Sequence, residues 1–297
     1  MKSIWLIVLL VITLAVGGAY LTNQSMQESV YTPLILHLGV LPDQDDESLR
    51  ARYSPLLDYL AEEVGLEVEL VVASDYSHLR HLFKNKEVDM ARFGGLGFVQ
   101  ANTFYDAEPL VMRDIDTRFV SWFLVRANSD AQNIADFKGK TFSFGSQLST
   151  SGHIMPRYFL RTNQHVVPEE FFSRVDYAAA HDKTVYSILN NEVDLGVVNP
   201  VIVKAMIEDG RLKEDGLRLL WETPPYPDYV WTVHSTLNGE LKTKLRNTFL
   251  ALDILQAKHK NILNNLGCTE FLPAGVHDFK LLQEVAASLG LLDSSAQ

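Results

Sequence analysis

The sequence predicts an α/β fold of two lobes that close over a ligand in the cleft between them, and three observations support this. Past residue 30, short apolar segments rich in Val, Phe, Tyr and Trp alternate with segments of helical periodicity, which favours largely parallel sheets. Two stretches, LFKNKEVDMARFG and ILNNEVDLGVVN, share one order of helix, turn, Glu-Val-Asp and buried strand, as two lobes of similar build would. Two aromatic segments, FVSWFLVRANSD and PPYPDYVWTVHS, would carry the chain into the second lobe and back.

The first element is an N-terminal targeting segment. Met1-Lys2 gives a positive start, and an apolar run interrupted only by Thr13 extends from Ile4 to Val16 before small and polar residues follow. This order is typical of a secretory signal peptide. Because the stretch 4–21 just reaches the roughly 18 residues of a membrane span, an uncleaved anchor is the alternative. Export is therefore expected, with residues 1–30 either removed or retained as an anchor.

The lobes are predicted to divide at the two aromatic segments. Lobe 1 is assigned residues 31–125, lobe 2 residues 126–228, and the return to lobe 1, with the C-terminal helices, residues 229–297. The predicted strands are 34–41, 68–73, 88–94, 119–126, 141–145, 174–180, 193–198, 217–223 and 229–234. Among the predicted helices, ESLRARYSPLLDYLAEEVG carries a proline that begins a second helix or kinks a longer one, and NGELKTKLRNTFLALDILQAKHKNIL is one long C-terminal helix.

The composition excludes several kinds of function. Of the 297 residues, 47% are hydrophobic, as in globular proteins, and the net charge of −11 argues against a nucleic-acid partner. Cys268 is the only cysteine, which excludes an intrachain disulfide and a cysteine-based metal site. The nine histidines show no metal-ligand spacing. We therefore expect neither a metal nor a cofactor.

Five stretches, in chain order, carry a family resemblance. They are RYSPLLDYLAEEVGLEVELVVASDYSHL, VDMARFG, KGKTFSFGSQLSTSGHIMPRYFL, HDKTVYSILNNEVDLGVVN and PPYPDYVW. Together they resemble the periplasmic substrate-binding components of phosphate, phosphite and phosphonate ABC transporters over about residues 36–275, and the STSGH stretch is the most specific part. The resemblance implies a type II periplasmic-binding-protein fold with a hinge of two crossing segments. It also implies a periplasmic monomer that captures a small phosphorus oxyanion for a transporter permease and catalyses nothing.

Ser149, Thr150 and Ser151 match the oxyanion-binding triplet of this family. Hydroxyls and the backbone N–H groups of a helix N-terminus are the donors that phosphoryl oxygens need, and Gly152 lets backbone approach closely. Because proline is tolerated only in a first helical turn, Pro156 predicts that the regular helix starts near residue 154. The alternative for this stretch is a plain serine N-cap.

Three further side chains complete the polar part of the predicted site by their match to the family. His181 opens a helix and would donate to an anionic oxygen, and Tyr76 lies where a strand ends and a helix begins. Asp228 would repel an oxyanion unless it accepts a hydrogen bond from a protonated oxygen or pairs with a ligand amine. The alternatives are a surface histidine, a half-buried tyrosine and a hinge-turn aspartate.

One segment departs from the family pattern. Where members commonly read Phe-Gly-Pro-x-Ser-Tyr, residues 93–98 read FGGLGF, so a hydroxyl and a phenol are missing at Gly97 and Phe98. We therefore predict a more apolar first-lobe wall, with Phe93 lining the cleft and Arg92 on the opposite face of its strand. Such a wall predicts that a small inorganic oxyanion or methylphosphonate binds at least about tenfold more tightly than aminoethylphosphonate.

Three other functions remain as rivals to oxyanion transport. A serine hydrolase built on STSGH is disfavoured, because the sequence has no G-x-S-x-G elbow and no metal constellation. A membrane-tethered ligand sensor would use the same clamp on an uncleaved N-terminal helix, and the N-terminal residue of the mature protein would distinguish it. A binder of a sulfonate or another organic anion would share the fold and be separated by a binding assay.

Overall fold

The structure is a computed structural model that describes residues 30–293 of the chain. The predicted signal peptide or anchor lies outside these residues, apart from its last position. Within the described range no helix is both long and apolar enough to cross a membrane. From Thr32 onwards the described chain forms a single compact unit, and the two sheets described below belong to it.

The described residues contain eleven strands. They are β1 (Ile35–Val40), β2 (Glu67–Val72), β3 (Met90–Phe93), β4 (Ala107–Arg113), β5 (Trp122–Arg126), β6 (Thr141–Phe144), β7 (Arg174–Tyr177), β8 (Leu195–Val198), β9 (Leu217–Glu222), β10 (Val230–His234) and β11 (Phe271–Pro273). The first sheet has the order β11-β4-β10-β3-β1-β2, and the second has the order β7-β6-β8-β5-β9. The α/β fold with two lobes predicted from the sequence is confirmed.

Both sheets are mixed: β10 and β11 run opposite to the other four strands of the first sheet, and β5 runs opposite to the other four of the second. In the first sheet β1 pairs parallel with β2 and β3, whereas β10 pairs antiparallel with β3 and β4. In the second sheet β6 pairs parallel with β7 and β8, whereas β5 pairs antiparallel with β8 and β9. β5 therefore lies in the second sheet, although the predicted boundary after residue 125 left most of it in lobe 1. The lobe boundaries themselves stay a prediction.

Ten α-helices cover the sheets in the described residues. They are α1 (Asp46–Val64), α2 (Tyr76–Lys84), α3 (Gly95–Tyr105), α4 (Met155–Asn163), α5 (Pro168–Phe171), α6 (His181–Leu189), α7 (Pro200–Glu208), α8 (Gly239–Leu250), α9 (Ala257–Leu266) and α10 (Lys280–Ser288). Pro55 lies inside α1, which is one continuous helix from its Asp45 N-cap to Gly65. The C-terminal helices α8, α9 and α10 contact β4, α1 and α3, all elements of the first lobe.

The predicted long C-terminal helix is wrong, because the chain breaks between α8 and α9. Residues 251–256 form turns, in which the Asp253 carboxylate accepts the Leu255 N–H at 2.9 Å and the Asp253 carbonyl accepts the Gln256 N–H at 3.0 Å. An aspartate that binds nearby backbone N–H groups offers the chain an alternative to helix at this point.

The two crossing segments pair with each other between the sheets. Phe119 and Tyr226 form an isolated antiparallel bridge in which each residue donates its N–H to the other's carbonyl, at 2.8 and 2.9 Å. The Phe119 ring packs edge-on against Tyr226 and Tyr229. This aromatic hinge brings Asp228 to the junction between the lobes, because its N–H donates to the Asp116 carbonyl at 3.0 Å.

Candidate functional site

The Ser-Thr-Ser triplet forms a tight turn at the start of α4. Ser149 is the N-cap, and its hydroxyl oxygen accepts the Gly152 N–H at 2.9 Å. A wide turn follows over Thr150–Ile154, and the regular helix begins at Met155, one residue after the predicted start. The serine cap proposed as the alternative is therefore present, but it leaves Thr150 and Ser151 free for other contacts.

Gly152 is required in this turn by close packing on both sides. A Cβ at this position would lie 2.9 Å from Ser149 Oγ, 3.0 Å from His181 Cε1 and 3.1 Å from Gly145 Cα. The Gly152 carbonyl also accepts the Gly145 N–H at 2.8 Å. The turn and the start of α6 therefore meet so closely that a residue larger than glycine fits only if a neighbouring group shifts.

We expect Gly152→Ala to weaken ligand binding by about 1–2 kcal/mol, because the added methyl group must displace His181 or the turn. Gly139→Ala in the same lobe is not a suitable control, since Gly139 has a φ of +73°. Gly239→Ala is better, because nothing lies within 4 Å of a Cβ there. Calorimetric titration of both variants checks the prediction, and equal affinities for the two would contradict it.

A second histidine, His153, stabilises the turn by hydrogen bonds on both sides of its ring. The His153 Nδ1–H donates to the Gln147 carbonyl at 2.6 Å, and Nε2 accepts from Arg157 Nε at 2.8 Å. Burial lowers the pKa of His153 to about 4, so the ring is neutral near pH 7 and can play both parts. Arg157 is fixed in turn by a paired contact with Glu169.

Thr150 joins the triplet to the first lobe. Its hydroxyl oxygen accepts the Leu96 N–H at 2.9 Å, at the N-terminus of α3. The neighbouring Gly95 N–H donates to Asp228 Oδ1 at 3.0 Å. Because the Thr150 oxygen is used as an acceptor, its hydroxyl proton is available to an oxyanion. The backbone N–H groups at the N-terminus of α3 therefore bind Thr150 of the second lobe and Asp228 of the hinge.

Four of the predicted site residues carry buried polar atoms with no hydrogen-bond partner among the described residues. They are the Tyr76 hydroxyl, the Ser151 hydroxyl, His181 Nε2 and Asp228 Oδ2. The residues are at most 7% exposed. Unpaired buried polar atoms are costly and rare in folded proteins, so a cluster of them indicates a site for a polar ligand.

The His181 ring is a neutral hydrogen-bond donor at Nε2. Its Nδ1 accepts the Asn199 N–H at 3.2 Å, which places the ring proton on the unpartnered Nε2. Burial lowers its pKa to about 4, so the ring is uncharged near pH 7. The His181 backbone N–H donates across the cleft to the Asp43 carbonyl at 3.2 Å, which fixes the start of α6 against the first lobe.

Asp228 is the one predicted site residue that titrates near neutral pH. Burial is the main cause that raises its pKa from the ordinary 3.8 to about 7, and nearby Asp116 raises it further. The Gly95 N–H acts in the opposite direction by stabilising the carboxylate. Asp228 can therefore supply a proton to a phosphoryl oxygen or accept one from it.

The remaining predicted residue, Phe93, is not brought together with the polar cluster. Its ring packs edge-on against Phe83, 5.4 Å between centroids, and a Cβ on Gly97 would lie 3.1 Å from it. Phe98 packs against Phe279 at 4.7 Å. Gly97 and Phe98 therefore face the interior of the first lobe and do not form the apolar cleft wall predicted there. The reason is that α3 turns its first N–H groups, rather than these two positions, towards the cleft.

Sequence reasoning missed Asp43. It is 1% exposed, its Oδ1 has no partner among the described residues, and its Oδ2 lies 3.5 Å from Arg92 Nη1. The signal was present, because Asp43 lies three residues after the end of β1 and ligands gather at the carboxyl ends of parallel strands. Arg92, on the face opposite Phe93, stacks on the Tyr229 ring at 3.8 Å.

Asn199 is a second residue that sequence reasoning missed. Its backbone N–H orients the His181 ring, and its side-chain amide donates to the Tyr229 hydroxyl at 3.1 Å. No group of three or more His, Cys, Asp or Glu within residues 30–293 is arranged to hold a metal ion.

Comparisons with known proteins relate the chain to transport proteins. The family described as "ABC transporter, phosphonate, periplasmic substrate-binding protein" matches residues 38–279. The probable ABC transporter phosphite binding protein PhnD1 of Prochlorococcus marinus (strain MIT 9301) is 31% identical over 289 residues, covering 91% of this chain and 97% of the relative. The phosphate-import protein PhnD of Mycolicibacterium smegmatis (strain ATCC 700084 / mc(2)155) is 30% identical over 230 residues, covering 73% and 71%.

A solved structure is similar as well. It is PhnD1 from Prochlorococcus marinus (MIT 9301) in complex with methylphosphonate, at a TM-score of 0.80 and 29% identity. The match covers 87% of this chain and 99% of that chain. The similarity therefore extends over both sheets and the hinge, not over one lobe alone.

Proposed function

Because this chain belongs to the periplasmic substrate-binding proteins of phosphonate ABC transporters, we propose that it captures a small phosphorus oxyanion for uptake. Phosphate, phosphite and a phosphonate are the candidate ligands. The observation that supports this most strongly is the cluster of buried, unpartnered polar atoms at Tyr76, Ser151, His181 and Asp228. Members of this family bind substrates for transport, and the chain is accordingly a binding protein rather than an enzyme.

In the proposed complex, donors from both lobes surround the phosphoryl oxygens. Thr150 and Ser151 donate from the turn before α4, and His181 Nε2–H donates from the start of α6. Tyr76 donates from the start of α2 in the first lobe. Asp228 shares a proton with one oxygen, because its pKa of about 7 allows either the carboxyl or the ligand to hold it. Ser149 acts by capping the turn.

The proposed setting is the periplasm, with an ABC transporter permease as the partner and the protein acting as a monomer. The names of the relatives support the periplasm and the transporter. Retention by an uncleaved N-terminal segment, as in a tethered sensor, stays a separate proposal. Sequencing the N-terminus of the exported protein distinguishes the two, since a cleaved chain begins near residue 30 and an anchored one retains the apolar run.

We expect phosphate, phosphite or methylphosphonate to bind at least about tenfold more tightly than aminoethylphosphonate, a difference of roughly 1.4 kcal/mol. The reason is the close approach of the Gly94 backbone to Thr150 and Asp228. A Cβ on Gly94 would lie only 3.2 Å from Thr150 Oγ1 and 3.5 Å from Asp228 Oδ1. The lobes therefore meet closely here and leave little space for an aminoethyl chain.

Calorimetric titration with the four ligands tests both the function and the selectivity. Tighter binding of aminoethylphosphonate would contradict the selectivity and would indicate that Asp43 or Asp228 pairs with the amine. An aliphatic sulfonate belongs in the same series, because a sulfonate lacks the protonated oxygen that Asp228 would share. Binding of the sulfonate and none of the phosphorus compounds would overturn the proposed function.

A further inference from the structure

An ion pair joins the two lobes away from the ligand-binding cluster. Arg211 lies in the second lobe, in the turn after α7, and its Nη1 donates to Asp45 Oδ2 at 3.0 Å. Asp45 belongs to the first lobe, where its other carboxylate oxygen caps α1 by accepting the Ser48 N–H at 2.9 Å. Asp209 accepts from Arg211 Nε and Nη2 at 2.9 and 2.7 Å, which orients the guanidinium towards the first lobe.

The pair lies in a crevice between the lobes. A crevice with a volume of about 1100 Å³ separates the start of α1 from α7 and the hinge. Asp45 and Arg211 both line this crevice. On the adjacent side the His181 N–H to Asp43 carbonyl bond already joins the same loop to the second lobe. Residues 43–45 therefore hold the second lobe at two points.

Arg211 also offsets the repulsion between Asp45 of the first lobe and two carboxylates of the second, Asp182 and Asp209. Asp182, at the start of α6, is only 7% exposed, and burial is the main cause of its raised pKa. Asp45 raises the pKa of Asp182 further, and Arg211 lowers it. The hydrogen bond from Arg211 lowers the pKa of Asp209, and the charge of Asp45 acts weakly in the opposite direction. Without the guanidinium, one carboxylate of the first lobe would face two carboxylates of the second.

We propose that Arg211 is an affinity-determining latch, which stabilises the closed arrangement of the lobes by its contact with Asp45 and does not touch the ligand. This inference rests on the proposed function, because closure is coupled to ligand binding. A contact that exists only when the lobes are closed increases the closed population, and observed affinity rises with that population. An exposed ion pair alone has a small effect, but the two further carboxylates increase the cost of losing Arg211.

The first test is the affinity of Arg211→Gln for methylphosphonate. We expect the variant to bind about three- to tenfold more weakly than the wild type, with faster dissociation, and the difference to shrink at high salt. Arg50→Gln is the matched control, because Arg50 pairs with Asp46 at 2.8 Å within α1 and its loss changes the net charge equally. Wild-type affinity for Arg211→Gln, or an equal loss for Arg50→Gln, would overturn the latch.

The second test is the coupling between the two partners. Asp45→Asn keeps a side-chain oxygen for the cap of α1 and removes the charge. We expect Arg211→Gln to weaken binding less in the Asp45→Asn background than in the wild type, because the repulsion it exposes is gone. An identical loss in both backgrounds would show that Arg211 and Asp45 act independently.

The third measurement separates failure of the latch from failure of the proposed function. If the wild type binds none of phosphate, phosphite and methylphosphonate, the proposed function fails. The latch is then judged on the ligand-free protein, by spin-label distances between one label in each lobe. A longer mean distance in Arg211→Gln supports the latch, and identical distance distributions overturn it.

Discussion

Replacing Thr150 with valine should weaken binding of the phosphorus oxyanion by about 3 kcal/mol, on the order of a hundredfold. Valine has nearly the shape of threonine but no hydroxyl. Two interactions are lost together: a donor to the ligand, and the acceptor that pairs the buried Leu96 N–H at 2.9 Å. The first is a charge-assisted hydrogen bond, and the second leaves a backbone donor unpaired at the lobe junction.

Two further variants control this experiment. Thr150→Ser keeps the hydroxyl and should stay within about threefold of wild-type affinity, since both hydrogen bonds can form. Thr103→Val removes a hydroxyl that donates to the Val99 carbonyl at 2.8 Å inside α3, the helix whose N-terminus Thr150 contacts. It should leave affinity unchanged. Calorimetric titration of Thr150→Val, Thr150→Ser and Thr103→Val measures these affinities. If the affinity of Thr150→Val were within threefold of the wild type, Thr150 would be a structural residue only.

The second large effect is the dependence of affinity on pH. In the bound state we expect one proton to be shared between Asp228 and a phosphoryl oxygen. Below pH 7 the free carboxyl, whose pKa is about 7, already carries this proton. Above that pH the carboxyl and the ligand are both ionised, so binding must take up a proton. The affinity of the wild type should therefore fall by about tenfold per pH unit above roughly pH 8.

Asp228→Asn should abolish this fall. The amide oxygen can still accept the Gly95 N–H, and the amide N–H can donate to an ionised oxygen without any proton uptake. Titration in two buffers of different ionisation enthalpy counts the protons directly. We expect about one proton taken up per ligand by the wild type at pH 8.5 and about none by the variant. The same pH slope in both proteins would exclude Asp228 as the group that shares the proton.

The ligand-free protein provides an independent check on the same residue. The pKa of Asp228 is raised from 3.8 to about 7 on folding, so its contribution to stability is fully present below pH 3.8 and is lost as pH rises through 7. The asparagine variant does not titrate. Its free energy of unfolding should therefore increase relative to that of the wild type between about pH 4 and 7. Denaturant unfolding at several pH values measures this, and a constant difference would contradict the raised pKa.

The fold could be predicted largely from the sequence, because strand and helix patterns and the two aromatic crossings each leave a local signal. The elements that were not predicted, β4, β11 and α3, lack such a local signal. β4 contains Pro109 and Glu108, which are unfavourable in a central strand, and β11 has three residues and ends in proline. α3 reads GLGFVQANTFY, whose glycines and aromatic residues have low helix propensity. Its burial against the first lobe, which no local pattern reveals, compensates for that.

The site was predictable only where a motif marks it. The triplet at 149–151 and His181 stand at helix starts, a signal that sequence shows. Phe93 was assigned to the cleft from its neighbourhood, and the direction of its side chain depends on how α3 packs over β3. Asp43 lies near the carboxyl end of β1, a sequence signal that could have been used. Arg211 acts across the lobes on Asp45, which lies 166 positions away in the chain. Such contacts exist only in three dimensions, so no spacing in the sequence could have indicated them.

The most direct test of the account is a crystal structure of the protein with methylphosphonate or phosphite. We expect the phosphoryl group to lie between the lobes, within hydrogen-bond distance of Ser151 Oγ, His181 Nε2 and the Tyr76 hydroxyl. One phosphoryl oxygen should face Asp228 Oδ2. A ligand bound elsewhere, for instance in the crevice beside Arg211, with the four buried polar atoms still unpaired, would contradict it.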